Sequence, residues 1–376
     1  MISFDKLSYW EKNSYFSDID FLIIGSGIVG LSCSLELRNK YPKANILVIE
    51  RGYLPTGAST KNAGFACFGS PSEILSDLDK LNHEEVKSII SSRFEGLKKL
   101  LSRCGKRAIE YQKLGSYEIF TPKEYSSFNN CVDKLAYLNE LMFNTTGVKN
   151  CFQIKSPKLF QFNNVLGIIK NLGEGQLNTG KMIKTLYKLA VLRNINVLFG
   201  IEVIKWQETK TSIEVQTNLG VISTDKLVIA TNGLTSQLIK TEDIHPARAQ
   251  VLVTSPIADL KIRGSFHYDA GYFYFRNIGN RILLGGGRNI NFESETTDKF
   301  ETTNEIMSSL ELLLKNVILP YKKFSIDQRW SGIMGVGKTK NPIVKKLSDR
   351  ISIGARLGGM GVALGSEVAE KLAKLN

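Results

Sequence analysis

The stretch FLIIGSGIVGLSCSLELRNKYPKANILVIE, residues 21–50, decides the fold. Its first residues are continuously apolar and end at a glycine, as expected of a strand covered on both faces in a parallel sheet. Apolar residues at helical spacing follow and stop at Pro42, after which residues 44–50 are again mostly apolar. The stretch therefore predicts a strand, a helix and a second buried strand.

The glycines of this unit have the spacing of a dinucleotide-binding loop. Gly25, Gly27 and Gly30 lie between the first strand and the helix, and Glu50 ends the second strand. The first glycine permits a tight turn, the second lets the backbone approach a pyrophosphate, and the third lets helix pack on strand. The helix N-terminus attracts phosphate, and the acid can accept ribose hydroxyls. This pattern disfavours NADP without separating NAD from FAD, and an ordinary tight turn is the alternative.

A second glycine loop, ARLGGMGVALG at residues 355–365, lies near the C-terminus. It follows an apolar run and precedes a helix-like segment, so its pattern is strand, glycine loop and helix. The N–H groups that begin such a helix can face an anionic ligand edge. The alternative is a tight turn before the last helix.

Composition narrows the partners. The formal charge of +13 suits nucleic acid, an anionic membrane surface or an acidic substrate as a partner. The basic residues are scattered along the chain, however, and a compositional bias toward lysine would produce the same charge.

Five cysteines without C-x-x-C spacing and only three histidines predict reduced thiols and no metal site. No apolar run approaches the roughly 20 residues of a membrane span, and the N-terminal stretch is unlike a signal peptide. We therefore expect a cytoplasmic protein without a transmembrane segment.

The opening motif and several later segments resemble the FAD-dependent D-amino-acid oxidase family, which includes glycine oxidase, sarcosine oxidase and γ-glutamylputrescine oxidase. The resemblance begins with FLIIGSGIVGLSCSLEL and ILVIERGYLPTGASTKNAGF. It continues in the family's order through GEGQLNTGKMIKTL, IEVIKW, KLVIATNGLTSQL and ARAQVLVT to the second glycine loop. These matches cover nearly the whole chain.

The resemblance implies FAD as the cofactor. It implies that the first glycine loop, the acid after the second strand and the A-S-x-x-N-x-G segment hold FAD, and that the second glycine loop lies under the isoalloxazine ring. Some members attach flavin to a cysteine near the C-terminus, but no cysteine follows Cys151 here, so we expect non-covalent FAD. The expected cofactor-binding residues are Gly25, Ser26, Gly27, Ile28, Val29, Gly30, Glu50, Arg51, Ala58, Ser59, Thr60, Asn62, Ala63, Gly64, Val203, Thr231, Gly233, Gly358, Gly359, Met360, Gly361 and Val362.

The substrate side departs from the family pattern. Members that oxidise amino acids have a carboxylate-binding arginine before the final strand, where this sequence has Met334. In GYFYFR, Tyr272, Tyr274 and Arg276 share one face by strand alternation and could grip an anion, or form an exposed or packed strand face. Lys61 lies in the segment expected near the flavin and is a candidate for oxygen activation or substrate binding, or a solvated loop lysine. These four are the candidate catalytic residues.

The predicted fold class is α/β plus α+β, because βαβ texture gives way to mixed helices and aromatic strands and then returns. We expect a discontinuous Rossmann-type FAD-binding domain at residues 1–113, 173–245 and 325–376. An inserted mixed β-sheet substrate domain is expected at residues 114–172 and 246–324.

The resemblance implies an FAD-dependent oxidoreductase that oxidises a C–N bond of an amine or N-substituted amino acid by hydride transfer to flavin. Oxygen or another electron acceptor would reoxidise the cofactor. Oxidation of a hydroxy acid, action on a modified tRNA base and flavin binding without turnover are the alternatives. No arginine-rich or aromatic-basic cluster supports nucleic acid as a partner.

Overall fold

The computed structural model of the protein describes residues 4–240 and 242–376. Residues 1–3 and 241, which the sequence assigns to the FAD-binding segments, lie outside the described residues. The α-helices in chain order are α1 (Tyr9–Tyr15), α2 (Ile28–Lys40), α3 (Ala58–Lys61), α4 (Pro71–Leu78), α5 (His83–Cys104), α6 (Tyr125–Asp133), α7 (Leu135–Thr146), α8 (Thr179–Leu192), α9 (Asn304–Leu313) and α10 (Gly361–Leu375).

Strands and short helical turns complete the elements. The strands are β1 (Phe21–Ile24), β2 (Ile46–Glu50), β3 (Phe65–Ala66), β4 (Ser116–Phe120), β5 (Phe152–Lys155), β6 (Gly167–Asn171), β7 (Gly175–Gln176), β8 (Asn196–Phe199), β9 (Val203–Glu208), β10 (Ile213–Thr217), β11 (Val221–Thr224), β12 (Lys226–Ile229), β13 (His245–Thr254), β14 (Ser265–Tyr268), β15 (Phe273–Ile278), β16 (Arg281–Gly286), β17 (Ile326–Val336), β18 (Ile343–Lys346) and β19 (Ile351–Ala355). Turns of 3-10 helix lie at Phe4–Lys6, Pro122–Glu124, Pro157–Phe160, Asn232–Gln237 and Arg288–Ile290, and a π-helical turn at Leu314–Ile318.

The first sheet has six strands in the order β18-β19-β12-β1-β2-β8. All neighbours are parallel except β18, which runs antiparallel to β19. The opening motif thus forms β1, α2 and β2 as its periodicity predicts. On its other side β1 pairs with β12, which comes from a distant part of the sequence, so the sheet is complete only when the late strands are in place.

Both faces of this sheet are covered, which explains the continuous apolar runs. Ile23 and Val48 face a core built with helices α2, α8 and α10. Leu22 and Leu47 face the opposite core, to which the three-stranded sheet β11-β10-β9 contributes. Every residue of β1 is buried. Alternation therefore sends successive apolar side chains to two different layers.

The second large sheet has eight strands in the order β17-β13-β16-β15-β14-β4-β6-β5. Its pairs are antiparallel except β14 with β4. One face packs with α9 around an aromatic core, in which Phe266 and Phe275 stack at 4.6 Å between ring centroids. This is the mixed sheet that the sequence predicts between the α/β segments.

The predicted domain boundaries stay a prediction, and the pairing of one strand crosses them. Residues 325–376 were expected in the FAD-binding domain, yet β17 pairs along its length with β13 in the eight-stranded sheet. The sequence of β17, polar in its first half and apolar with glycines in its second, suits either sheet, so its pattern does not reveal its partner. Within the part of the chain that the structure describes, no helix is long and apolar enough to cross a membrane.

Candidate active site

A cavity of about 610 Å³ lies between the two large sheets. Ile24 and Ile49, near the carboxyl ends of β1 and β2, line one end, while Val251 of β13 and Tyr274 of β15 line another part. This is the usual position for a ligand in an open α/β sheet, outside the carboxyl ends of the strands. Its size is within the range of small-molecule and cofactor sites.

The first glycine loop shapes one end of the cavity. Helix α2 begins directly after Gly27, whose position at the helix start offers no capping side chain. The N–H of Ile28 donates instead to Ser59 Oγ at 3.0 Å. A Cβ added at Gly30 would lie 1.9 Å from the carbonyl oxygen of Gly25, so only glycine lets the helix approach the strand this closely.

Glu50 occupies the end of β2 beside this loop. Its Oε2 accepts hydrogen bonds from the N–H of Ser26 at 3.1 Å and the hydroxyl of Ser26 at 3.0 Å. Its Oε1 accepts the N–H of Gly52 at 3.2 Å. The carboxylate is therefore held at the cavity wall, with both oxygens oriented by the loops around it.

The A-S-x-x-N-x-G segment forms α3 and the turn after it. Asn62 fastens this turn: its Oδ1 accepts from the N–H of Gly64 at 2.8 Å and from Thr179 Oγ1 at 3.0 Å. Its Nδ2 donates to the carbonyl of Ser59 at 2.9 Å. Asn62 thus connects the segment to the start of α8 and fixes the position of α3 against the first loop.

The second glycine loop reaches the same cavity from β19. Helix α10 begins at Gly361 without a side-chain cap, so its first N–H groups have no side-chain acceptor at the helix start. Gly361, Val362 and Ala363 all line the cavity. Neither α2 nor α10 is capped by the residue before it, and apart from the N–H of Ile28, which Ser59 takes, both helix starts offer positive partial charge to this space.

Most of the predicted cofactor-binding residues border the cavity. The lining residues among them are Gly25, Gly27, Ile28, Val29, Glu50, Arg51, Ala58, Ser59, Asn62, Ala63, Val203, Thr231, Gly358, Gly359, Met360, Gly361 and Val362. Those outside the lining are Ser26, Gly30, Thr60, Gly64 and Gly233. These outer residues make contacts that support the wall: Thr60 Oγ1 donates to the carbonyl of Pro55, for example.

An aromatic wall from β14 and β15 closes another part of the cavity. The ring of Phe65 packs edge-on against Tyr274 at 5.7 Å and against His267 at 5.3 Å between centroids. Burial raises the pKa of Tyr274 to about 12 and lowers that of His267 to about 4, so both side chains are neutral near pH 7. Tyr272 and Lys61, two of the candidate catalytic residues, also line the cavity, and their catalytic role stays a prediction.

Arg276 has an environment different from the expected anion grip. Its Nη1 donates to the carbonyls of Leu177 at 2.9 Å and Gly64 at 3.2 Å. The side chain is buried and is not among the residues that line the cavity. Burial lowers its pKa to about 10. Strand alternation puts Arg276 on the same face of β15 as Tyr274. At Arg276, however, the turn at Gly64 covers this face, and the local sequence pattern does not reveal that contact.

A polar cluster borders the cavity beside the aromatic wall and shares His267 with it. Glu174 accepts the N–H groups of Phe68 at 2.6 Å and Gly69 at 2.9 Å, and the hydroxyl of Ser116. Burial raises the pKa of Glu174. Donor atoms of Cys67, Glu174 and His267 lie within 4.8 Å of one another, a grouping that the sequence did not suggest. The predicted absence of a metal site stays a prediction.

Paired charges form the cavity edge next to this cluster. Arg93 binds Glu73 through two hydrogen bonds of 3.0 and 3.2 Å, and Lys340 reaches both Glu73 and Asp77. Although burial alone would raise the pKa of Glu73, these two cations hold it below its usual range. The network joins the loop before β18 to α4.

Several lining residues are absent from the predicted site, and His267 and Arg288 are among them. Arg288 directly follows the three glycines that end β16, which is the signal that could have found it. Met334, at the place of the absent arginine, also lines the cavity.

Comparison with known proteins finds a family model and several proteins that are similar to this chain. The family model described as "FAD dependent oxidoreductase" (DAO) matches residues 20–375. The probable oxidoreductase OrdL of Rhizobium meliloti (strain 1021) is 22% identical over 371 residues, covering 95% of this chain and 82% of that protein. The crystal structure of L-proline dehydrogenase from P. horikoshii superposes with a TM-score of 0.75 at 19% identity, covering 95% of this chain and 93% of the other. Iminodiacetate oxidase from Chelativorans sp. BNC1 gives 0.73 at 16% identity and 94% coverage of both chains.

Proposed function

This chain belongs to the DAO family of FAD-dependent oxidoreductases, and from that premise we propose that it oxidises the C–N bond of an amine or N-substituted amino acid. When bound, FAD supplies the two-electron acceptor for such an oxidation. The substrate loses two electrons and two protons and becomes an imine, which water hydrolyses to a carbonyl compound and an amine. Oxygen or another acceptor then takes the electrons.

The residues around the cavity fit FAD. Apart from the N–H that Ser59 accepts, the starts of α2 and α10 offer N–H groups to anionic ligand groups, and Glu50 offers carboxylate oxygens to hydroxyl groups. Any Cβ at position 30 would collide with the carbonyl oxygen of Gly25, so the close packing of the first loop depends on glycine. We propose that the residues of α2 and Glu50 hold the ADP part and that Gly358–Gly361 lie against the flavin.

The proposal rests on one observation: a single continuous cavity borders both sets of residues. The same space borders the proposed cofactor residues and a wall of Phe65, Tyr272, Tyr274 and Met334. An apolar, aromatic wall excludes water and disfavours a charged amine, so it favours the neutral form that an oxidation of the C–N bond requires. Tyr274, half-buried and protonated, can orient the substrate without changing its charge.

The names of the two superposed structures favour the same substrate class. One is named for proline and the other for iminodiacetate, and both compounds are amino acids with a secondary amine. We propose Tyr272, Tyr274 and Lys61 as residues that contact the substrate or the oxidant. Arg276, held by two carbonyls, is instead proposed to support the turn at Gly64.

Anaerobic mixing of the purified FAD-loaded protein with pooled amines and amino acids tests the proposal. We expect one pool to bleach the flavin absorption and successive division of that pool to give the substrate. A Tyr274→Phe variant is expected to bleach more slowly, while a Tyr321→Phe variant at an exposed position keeps the wild-type rate. A flavin that stays oxidised with every amine would contradict the proposal.

The bleaching assay and a tRNA-binding assay distinguish the alternatives. Bleaching by hydroxy acids alone would indicate oxidation of a C–O bond. Retention of tRNA at low salt, lost steeply as salt rises, would favour a nucleic-acid substrate. A cytoplasmic location also stays a prediction, which fractionation of the source cells would test.

A further inference from the structure

Arg288 lines the cavity without a polar partner. Its Nε is buried, and among the described residues no hydrogen bond or ion pair reaches the guanidinium. The other arginines nearby differ: Arg93 is paired with Glu73, and Arg276 is bound to two carbonyls. Burial lowers the pKa of Arg288, and the opposing attractions of Tyr272 and Glu295 are weaker. A buried, unpartnered donor is costly unless a ligand satisfies it.

The backbone before Arg288 fixes its position. Gly286 and Gly287 have φ values of +114° and +78°, which side chains of other residues rarely adopt. A Cβ at Gly286 would lie 1.9 Å from the carbonyl oxygen of Tyr272. The N–H of Gly287 donates to that same carbonyl at 2.9 Å. The chain thus turns sharply at the end of β16 and holds Arg288 beside Tyr272.

An aromatic ring supports the guanidinium. The Arg288 Cζ lies 5.0 Å from the centroid of Phe292, which packs edge-on against Tyr272 at 5.8 Å. Stacking on one face leaves the planar edge of the guanidinium for a ligand, and this fork matches a carboxylate bidentately. Tyr272 adds a phenol hydroxyl at the same part of the cavity wall.

We propose that Arg288 binds the carboxylate of the substrate, so that the amine to be oxidised belongs to an amino acid. This inference rests on the proposed function and assigns to Arg288 the role for which position 334 has only a methionine. Lys61 is the other cavity cation without an acidic partner among the described residues, but its ammonium lies over Phe300 at 5.5 Å and has no fork geometry. Arg288 is therefore the better carboxylate ligand.

Binding of benzoate to the FAD-loaded protein tests this without turnover. Benzoate combines a carboxylate with a ring that suits the aromatic wall, and benzamide is its neutral counterpart. We expect benzoate to perturb the flavin absorption in a saturable way and to bind at least about tenfold more tightly than benzamide. Absence of any benzoate-dependent change, or equal affinity for benzamide, would overturn the inference.

Variants assign the binding to the residue. Arg288→Met is expected to weaken benzoate binding by about 10- to 100-fold, and Arg288→Lys by less, because the charge remains while the fork is lost. Arg281→Met, at the start of the strand that precedes Arg288 and paired with Asp327, removes the same charge and is expected to leave benzoate affinity unchanged. Unchanged affinity in Arg288→Met, with loss in Lys61→Met, would place the anchor at Lys61 and contradict the inference.

The outcomes separate this inference from the proposed function. If no amine bleaches the flavin but Arg288-dependent benzoate binding is found, the reaction is wrong and the anion site is right. If amines bleach the flavin but benzoate binding does not depend on Arg288, the proposed reaction is right and the anion site is wrong. The wild-type comparison of benzoate with benzamide decides the question even if the Arg288 variants fail to fold.

Discussion

The hydroxyl of Ser59 accepts a hydrogen bond from the backbone N–H of Ile28 at 3.0 Å. The two residues are 31 positions apart, and both border the cavity. This bond satisfies one of the free N–H groups at the start of α2, a task that a capping side chain normally performs from the residue before the helix. The A-S-x-x-N-x-G segment therefore completes the first glycine loop.

Replacing Ser59 by alanine should weaken both the fold and the hold on FAD. Loss of a capping hydrogen bond typically costs about 1 kcal/mol of stability, and here it also frees α3 from the loop. Equilibrium dialysis of FAD against Ser59→Ala should show a several-fold higher dissociation constant. Ser156→Ala removes a similar bond to the N–H of Lys158, far from the cavity, and should leave FAD affinity unchanged.

Gly30→Ala should prevent assembly of the FAD site. The added methyl would meet the carbonyl of Gly25 at 1.9 Å, and backbone atoms cannot move aside as a flexible side chain would. We expect an insoluble protein or one that leaves gel filtration without flavin. Gly180→Ala, in the first turn of α8 with its nearest heavy atom at 3.6 Å, should keep wild-type flavin content. Full flavin occupancy in Gly30→Ala would refute the packing argument.

Denaturation should release all of the flavin. Among the described residues that line the cavity, Cys67 is the only cysteine, and burial followed by the neighbouring Glu174 raises its pKa well above the usual value. It therefore remains a thiol and a poor nucleophile. After acid precipitation, the absorbance at flavin wavelengths should be found in the supernatant. Fluorescent flavin in the washed pellet would show a covalent link.

Breaking the buried pair of Arg248 and Glu295 should strongly destabilise the protein. Arg248 donates to both carboxylate oxygens, at 2.7 and 2.9 Å, and Glu295 is 1% exposed. Arg248→Met leaves that carboxylate buried without its cation, which costs about 3–5 kcal/mol. In urea unfolding, Arg329→Met, which breaks an exposed pair with Glu311, should change stability by less than about 1 kcal/mol. Equal losses would contradict this ranking.

Glu118 should make stability depend on pH. Burial raises its pKa from 4.5 to about 7, against hydrogen bonds from Ser72 and Ser70. Because the folded state prefers the proton, its contribution is favourable below about pH 4.5, declines as pH rises through about 7 and is then constant. The unfolding free energy of Glu118→Gln, relative to wild type, should therefore rise by about 3 kcal/mol across this interval. A difference that stays constant across this interval would contradict the argument.

The periodicity of apolar residues is sufficient to predict the opening motif, but it does not predict the substrate side of the cavity. The positions of Gly25, Gly27, Gly30 and Glu50 follow from the order strand, loop, helix, strand, which is a local property. The place of Arg288 depends instead on two left-handed glycines and on the carbonyl of Tyr272 across the hairpin. No local pattern carries that information.

The same distinction explains Arg276 and β17. Alternation along β15 gives the face of Arg276, whereas the turn that covers it belongs to residues more than two hundred positions earlier in the sequence. The partner of β17 depends on a pairing with β13 that crosses the predicted boundary. Such facts arise from tertiary contacts, which a single sequence does not display.

The strand order of the six-stranded sheet also governs how the protein can be made. The segment from β1 to β2 leaves the ribosome early, but β12 and β19, which complete its side of the sheet, are synthesised much later. Until then the apolar edge of β1 has no partner and is a target for chaperones or aggregation. A ribosome stalled before β19 should therefore carry a nascent chain that cannot retain FAD, and loading of the cofactor should follow translation.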